Sequence, residues 1–305
     1  MSPARTAALL SVHMDLGAGR RGVDMGPSAI RLAGLTRGLE RMGWAVREMG
    51  PLFVRGPEAA TPGTPSARYL DEVLDLCTRL KAEALAALRQ GALPVTLGGD
   101  HSIAMGSVAA VAQHHARPGE PLGLLWVDAH TDINTPQSSP SGNLHGMPLA
   151  HLLGLGVPAL AQLAGPQPAV RAAHVAVLGA RSVDAGEREI VRQTGVRVYT
   201  MSEIDERGFA ACLKEALARV TDGTCGFHLS FDLDGVDPQD APGVGTPVQG
   251  GLSYREAHLA CESAAATGRL LGVDMVELNP TLDEHNRTGR LAVELILSAL
   301  GKTIL

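Results

Sequence analysis

The sequence predicts an α/β fold built on a parallel sheet with both faces covered. Two observations carry this prediction. Eight short apolar runs recur along the 305 residues, and most are continuous rather than alternating, the pattern of strands buried on both faces. Between many of them lie longer segments with apolar residues at helical spacing, and strands that alternate with helices join as parallel neighbours.

The strand runs, in order, are Ala7–Val12, Trp44–Met49, Leu93–Leu97, Leu122–Val127, His174–Leu178, Val196–Thr200, Phe227–Phe231 and Leu270–Val276. A first helix is expected over Pro27–Gly43, with Pro in its opening turn and Gly at its end. Ser66–Gln90 places Leu70, Val73, Leu74, Cys77 and Leu80 on one helical face. Ser253–Gly268 opens with Ser253-x-x-Glu256, a capping box. A last helix covers about Arg290–Leu300. The Gly/Pro-rich stretches Arg55–Ser66 and Asn134–Gly146 read as long loops, and loops of that length in a compact domain are often functional. Apolar strands continue on the same scheme after each loop and no internal repeat is evident. The expectation is therefore one catalytic domain over residues 1–305.

Composition narrows the function classes. Hydrophobic residues make up 45%, charged residues 19% and aromatics only 3%, so a sizeable core must be built from Leu, Val and Ala. The net charge of -6 and the lack of a basic run exclude a nucleic-acid footprint. No apolar stretch approaches the roughly 20 residues of a membrane span. Met1–Leu10 carries Arg5 but no long apolar run, so no signal peptide is expected. The four cysteines (Cys77, Cys212, Cys225 and Cys261) form no C-x-x-C pair and suit a reducing compartment, with the cytoplasm as the default.

Gly17-x-Gly19-x-x-Gly22 follows the first strand and matches a dinucleotide-binding pattern. That pattern needs a helix to start at once, so that its N-terminus meets the pyrophosphate. Here Val23-Asp24-Met25-Gly26-Pro27 intervenes, and a tight loop is the better reading.

The chemistry concentrates at strand ends. The fourth run ends in Asp128-Ala129-His130-Thr131-Asp132, and alternate side chains of extended backbone project the same way. The seventh ends in Ser230-Phe231-Asp232-Leu233-Asp234, which repeats the device with two carboxylates. Leu97-Gly98-Gly99-Asp100-His101 puts a histidine just past a third strand. Four carboxylates converging at buried strand ends repel one another and lose solvation unless cations neutralise them. Two divalent ions would do so, with two imidazoles completing the coordination. Oxygen and nitrogen ligands without thiolate favour Mn, with Zn, Fe and Co as alternatives. Such a pair generates hydroxide near neutral pH, and the resulting site, with a charge of about -1, suits a cationic electrophile such as a guanidinium.

These residues closely resemble the arginase (ureohydrolase) family. The matching pieces are Gly98–Ser102, Asp128–Asp132 and Ser230–Pro238, and the likeness covers nearly the whole chain from Met14–Arg31 onward. The resemblance implies a three-layer α/β/α fold with an eight-stranded parallel sheet. It implies two Mn2+ per chain bound by His101, Asp128, His130, Asp132, Asp232 and Asp234, with Asp128 and Asp232 bridging. It also suggests a homotrimer or homohexamer.

Within the family, the Asn134–Gly146 stretch looks like arginase. By that resemblance Asn134, Ser141 and Asn143 would bind the α-carboxylate of L-arginine, and Asp184 and Glu187 its α-amino group. A carboxylate wants neutral donors and an ammonium wants an acid. Agmatine lacks the carboxylate and would leave such donors unsatisfied. Asn134 and Ser141 also suit turns. The implied reaction is hydroxide attack on the guanidinium carbon, giving urea and L-ornithine. Asp132 would carry the proton, His145 would act as a proton shuttle, Glu277 would bind the guanidinium, and Thr246 matches a further active-site position. The alternative is agmatinase or another guanidino-acid ureohydrolase. His114, His115, His151, His174 and His228 receive no role.

Overall fold

The computed structural model describes residues 5–304, so the reading of Met1–Ala4 lies outside the described residues. From the N-terminus, β1 (Thr6–His13) leads through a loop to α1 (Gly26–Leu32), α2 (Leu35–Arg41) and β2 (Ala45–Glu48). Three two-residue strands follow, β3 (Leu52–Phe53), β4 (Gly63–Thr64) and β5 (Ala67–Arg68), then α3 (Leu70–Arg89), β6 (Leu93–Leu97) and α4 (Ala104–His115). Next come β7 (Leu122–Val127), α5 (Pro148–Leu152), α6 (Pro158–Ala161), β8 (Val170–Ala180), α7 (Ala185–Thr194) and β9 (Arg197–Thr200). The chain closes with α8 (Met201–Arg207), α9 (Phe209–Thr221), β10 (Phe227–Asp232), α10 (Tyr254–Ala266), β11 (Leu270–Val276) and α11 (Arg287–Ala299).

The main sheet runs β2-β1-β6-β11-β10-β7-β8-β9, eight strands joined by parallel pairings, as the sequence and the resemblance led one to expect. β3 adds a short parallel pairing at Val12 and His13, and β4 pairs with β5 in a separate antiparallel ribbon. The helices form the outer layers. Ala7, Leu9, Leu125, Val127, Phe227, Phe231, Val273 and Met275 point to the side covered by α1, α2, α9, α10 and α11. Leu10, Val12, Leu124, Trp126 and Val177 point to the side covered by α3, α4 and α5. Each fully buried Leu, Val or Phe on these faces contributes about 1.5–3 kcal/mol, which is why an aromatic-poor chain can hold this architecture.

Two local expectations are corrected. The helix foreseen over Pro27–Gly43 is two helices, because Gly34 adopts φ 96° and breaks the hydrogen-bond ladder. The fifth strand begins earlier than its apolar run, at Val170, and its pairing with β7 shifts register between Leu122 and Leu124.

All strands of the main sheet are parallel, so their carboxyl ends share one edge, where open α/β sheets bind ligands. The four central strands, β6, β11, β10 and β7, are consecutive neighbours. Each is followed immediately by one of the acid- or histidine-bearing segments singled out above.

Candidate metal centre

The carboxyl edge gathers His101 past β6, Glu277 past β11, Asp232 and Asp234 at the end of β10, and Asp128, His130 and Asp132 past β7. Strand pairing fixes their relative height. Ser230 is level with Trp126 on one side and Asp274 on the other, so Asp232 and Asp128 emerge from adjacent strands together.

Their polar atoms converge. His101 Nδ1 lies 3.1 Å from Asp128 Oδ2, 3.2 Å from Asp132 Oδ2 and 3.1 Å from Asp232 Oδ2. His130 Nδ1 lies 3.3 Å from Asp128 Oδ1 and 3.2 Å from Asp234 Oδ2. Two groups of ligand-capable atoms result: His101, Asp128 and Asp232, and Asp128, His130 and Asp234, each with its atoms within 4.8 Å of one another. Asp128 belongs to both and turns one oxygen to each histidine. Asp132 reaches the first group through His101.

Local chemistry holds these side chains. His101 starts the turn that leads into α4, after Asp100, whose side chain accepts from Ser102 N–H. Its ring stacks on Trp126 with centroids 3.9 Å apart, and its Nε2 is 2.9 Å from Ser230 Oγ. Trp126 Nε1 donates to Asp128 Oδ2 at 2.9 Å, and His130 N–H donates to Asp128 Oδ1 at 2.7 Å. Asp232 Oδ1 accepts from Asp234 N–H at 2.7 Å, and Thr246 Oγ1 donates to Asp234 Oδ2 at 2.8 Å. The Arg181 guanidinium donates to the carbonyls of Gly179, Asp234, Gly235, Val236 and Val248, pinning the backbone that carries Asp234.

The electrostatics are those of an uncompensated acid cluster. Burial raises the Asp132 carboxyl to about 7, aided by the charge of Asp128. Burial and the charges of Asp234 and Asp128 lift Asp232 well above the usual carboxylate range, and Asp234 is raised by burial and Asp128. Burial opposes ionisation of Asp128 too, but His101 and His130 hold it below its ordinary value. Burial disfavours charge on His101 and His130, yet their acid partners outweigh it and raise both. His101 Nδ1 is buried and makes no hydrogen bond, although it faces three carboxylate oxygens. An imidazole nitrogen facing three carboxylate oxygens, with no thiolate nearby, is the donor set of a hard or borderline divalent cation. The residues therefore fit the metal pair that the family likeness implies.

Two of the surrounding acids sit on strained backbone. Asp132 has φ 48° and Glu277 φ 65°, left-handed values that cost a non-glycine residue about 1–3 kcal/mol and cluster at functional sites. Glu277 Oε1 accepts from His101 N–H at 2.9 Å and lies 3.0 Å from His145 Nδ1, while its Oε2 is buried without a partner. Glu277 thus ties the His145 ring to the cluster. Burial disfavours its charge, but the Glu277 hydrogen bond and the charges of Glu277, Asp100 and Asp132 raise it to about 9.

A cavity of about 140 Å3 opens onto the cluster, lined by His130, Asp132, Asn134, Ser141, His145, Asp184, Glu187, Asp232, Asp234 and Thr246 among others. A wider groove of about 580 Å3, beside His13, Asp15 and Phe53, lacks these converging groups. Asn143 and Glu277 do not line the smaller cavity. Asn143 packs against Gly19, where an added Cβ would come within 2.8 Å of its Nδ2, and a Cβ on Gly17 would come within 2.6 Å of Asp100 Oδ1. Of the three glycines that mimic a dinucleotide motif, Gly17 and Gly19 thus pack on the His145 segment, with His145 N–H donating to Gly17 O at 3.0 Å, while Gly22 packs on Asn279 and Thr281.

Asn134 Nδ2 donates to Asp184 Oδ2 at 2.7 Å, and Ser138 Oγ donates to Asn134 Oδ1 at 2.7 Å. Asp184 and Glu187 form the capping box of α7, and Thr131 Oγ1 donates to Glu187 Oε1 at 2.7 Å. Sequence reasoning assigned both acids to a ligand and overlooked the cap, although Asp184-x-x-Glu187 carries its signature. It also overlooked Trp126, Ser230 and Arg181 as supports of the cluster.

Comparison with known proteins decides the lineage. The model of the arginase family matches residues 5–301. The chain belongs to the arginase family. It is 48% identical over 301 residues to an arginase of Brevibacillus brevis, covering 99% of each chain. The solved arginase of Bacillus caldovelox superposes with a TM-score of 0.94 at 45% identity, covering 99% of this chain and 100% of that one. The arginase of Entamoeba histolytica, solved in complex with L-ornithine, superposes with a TM-score of 0.89 at 31% identity, covering 98% of this chain and 99% of that one. The chain is therefore an enzyme of this family. Among the described residues no helix is long and apolar enough to cross a membrane.

Proposed function

We propose that the chain hydrolyses L-arginine to L-ornithine and urea, acting as one catalytic domain with two Mn2+ ions per chain. The carrying observation is the pair of histidine–carboxylate groups that share Asp128. In this reading His101, Asp128, His130, Asp132, Asp232 and Asp234 would hold the two ions, with Asp128 and Asp232 shared between them. When bound, the ion pair supplies positive charge that generates hydroxide from water near neutral pH and stabilises charge developing on the substrate.

The chain's own groups do the rest. Glu277 Oε2, buried and unpartnered, offers a carboxylate to the substrate guanidinium and orients it. Asp132, beside the nucleophile, would take its proton and pass it to the leaving amine. His145 Nδ1 is engaged by Glu277, which leaves Nε2 as the position that exchanges protons with the cavity. With cations bound nearby, the His145 ring would be shifted down from about 9 toward neutrality, as like charges do, and a shuttle works best there. Asn134, Ser141 and Asn143 address the α-carboxylate, Asp184 and Glu187 the α-amino group, and Thr246 steadies Asp234.

Urea release by Mn-incubated protein, with L-arginine and agmatine side by side, tests this reading. A strong preference for arginine is expected. Preference for agmatine overturns the roles of Asn134, Ser141 and Asn143 while leaving the metal chemistry. No urea from either substrate overturns the proposed reaction.

A further inference from the structure

Beneath the metal-facing layer runs a second polar row that the chemistry above does not use. Thr96, Asp274, Ser230 and Trp126 stand level with one another on β6, β11, β10 and β7. All four are fully buried. They face the side of the sheet covered by α4, opposite Val95, Val273, Leu229 and Leu125. A carboxylate at the centre of a sheet costs several kcal/mol in solvation, so Asp274 calls for a physical reason.

Its neighbours supply one. Asp274 Oδ2 accepts from Ser107 Oγ on α4 at 2.7 Å and from Ser230 Oγ at 3.3 Å, and His228 Nε2 lies 3.0 Å away. Burial pushes the Asp274 carboxyl up, but His228 and the Ser107 and Thr96 hydroxyls outweigh it and hold the carboxyl below its ordinary value. Ser230 Oγ, in turn, is 2.9 Å from His101 Nε2.

Resting on the metal site proposed above, we infer that Asp274 is a positioning residue for metal binding, which fixes the tautomer of His101 through Ser230. An ionised carboxylate can only accept, so the Ser230 hydroxyl proton must point to Asp274. Ser230 Oγ then has only lone pairs left for His101, and His101 must carry its proton on Nε2. In the neutral ring this leaves the Nδ1 lone pair facing Asp128, Asp132 and Asp232, the form that ligates a cation. An amide at position 274 removes the direction of the chain. Its NH2 can donate to Ser230, Ser230 can then donate to His101 Nε2, and the proton moves to Nδ1, where it blocks the ligand.

The test is chelator competition on the Mn2+-loaded enzyme, reading the affinity of each ion. Asp274→Asn is expected to weaken one of the two ions about 10–100-fold, as loss of outer-sphere orientation does, and to leave the other within about twofold. Ser230→Ala should weaken the same ion, and the Ser230→Ala/Asp274→Asn double variant should lose no more than the worse single one, because both break one chain. Unchanged affinities in Asp274→Asn overturn the inference, as do equal losses at both ions or additive losses in the double variant. Should Asp274→Asn fail to fold, Ser230→Thr against Ser230→Ala decides. The hydroxyl-bearing variant should keep the affinity that the alanine variant loses, and equal behaviour overturns the relay.

Discussion

The cluster at the strand ends and the Asn134–Gly146 loop line the same cavity but are held by different means. Asp128, Asp232 and their neighbours take their places from the register of adjacent parallel strands. Their atoms are further tied to backbone N–H groups and Trp126. The loop is held by itself and by what it touches: Asn134 by Asp184 and Ser138, Gly142 N–H by Ser139, and His145 N–H by Gly17. A sheet register admits no small adjustment, because slipping by one residue turns every side chain to the other face. A loop can change its donors and keep its path. On the proposed function, the difference separates the chemistry, built where positions are fixed, from the choice of substrate, built where they can vary.

Replacing Asp128 with Ala strikes the shared member of both groups and should have the largest effect. Activity should fall by more than about 10³-fold, roughly 4 kcal/mol, with loss of measurable Mn by metal analysis. Near-normal metal content would remove Asp128 as the common ligand. His145→Asn lies at the boundary of the two regions. Turnover should drop about 10²-fold with both metals retained, and an unchanged rate at neutral pH would take His145 out of the proton path. Asn134→Ala belongs to the loop alone. The ratio of kcat/KM for arginine over agmatine should shrink by about 10-fold, the scale of one lost polar contact, while metal content stays constant. A loss shared equally by the two substrates would make Asn134 structural. The smallest effect is expected far from both regions. Ser253→Ala removes the cap of α10 and should cost about 1 kcal/mol in thermal unfolding, with unaltered turnover.

The same contrast explains what the sequence revealed. The six inner strands of the main sheet were legible because burial on both faces demands apolar runs, and β3, β4 and β5 were not, since two residues make no pattern. The Gly34 break lay in view but was masked by good helical spacing on either side. Asp128-x-His130-x-Asp132 and Asp232-x-Asp234 stood out because each motif sits within one stretch of chain. Asp274, Ser230 and Trp126 did not, because their meeting depends on pairing among three strands and on no local spacing. Glu277 was recognised by likeness alone, and its strained φ and unpartnered oxygen emerge only in three dimensions.

Arg181 adds a consequence of its own. The molecule keeps a guanidinium permanently beside its acid cluster, yet that group is swaddled in main-chain carbonyls and faces no free carboxylate. It is a built-in bystander, the same functional group as the proposed substrate but immobilised in an orientation without reactive neighbours. Proximity to the cluster is therefore not what marks a guanidinium for cleavage. On the proposed reaction, a guanidinium must come to the acids with its donors free, and those of Arg181 are already taken by main-chain carbonyls.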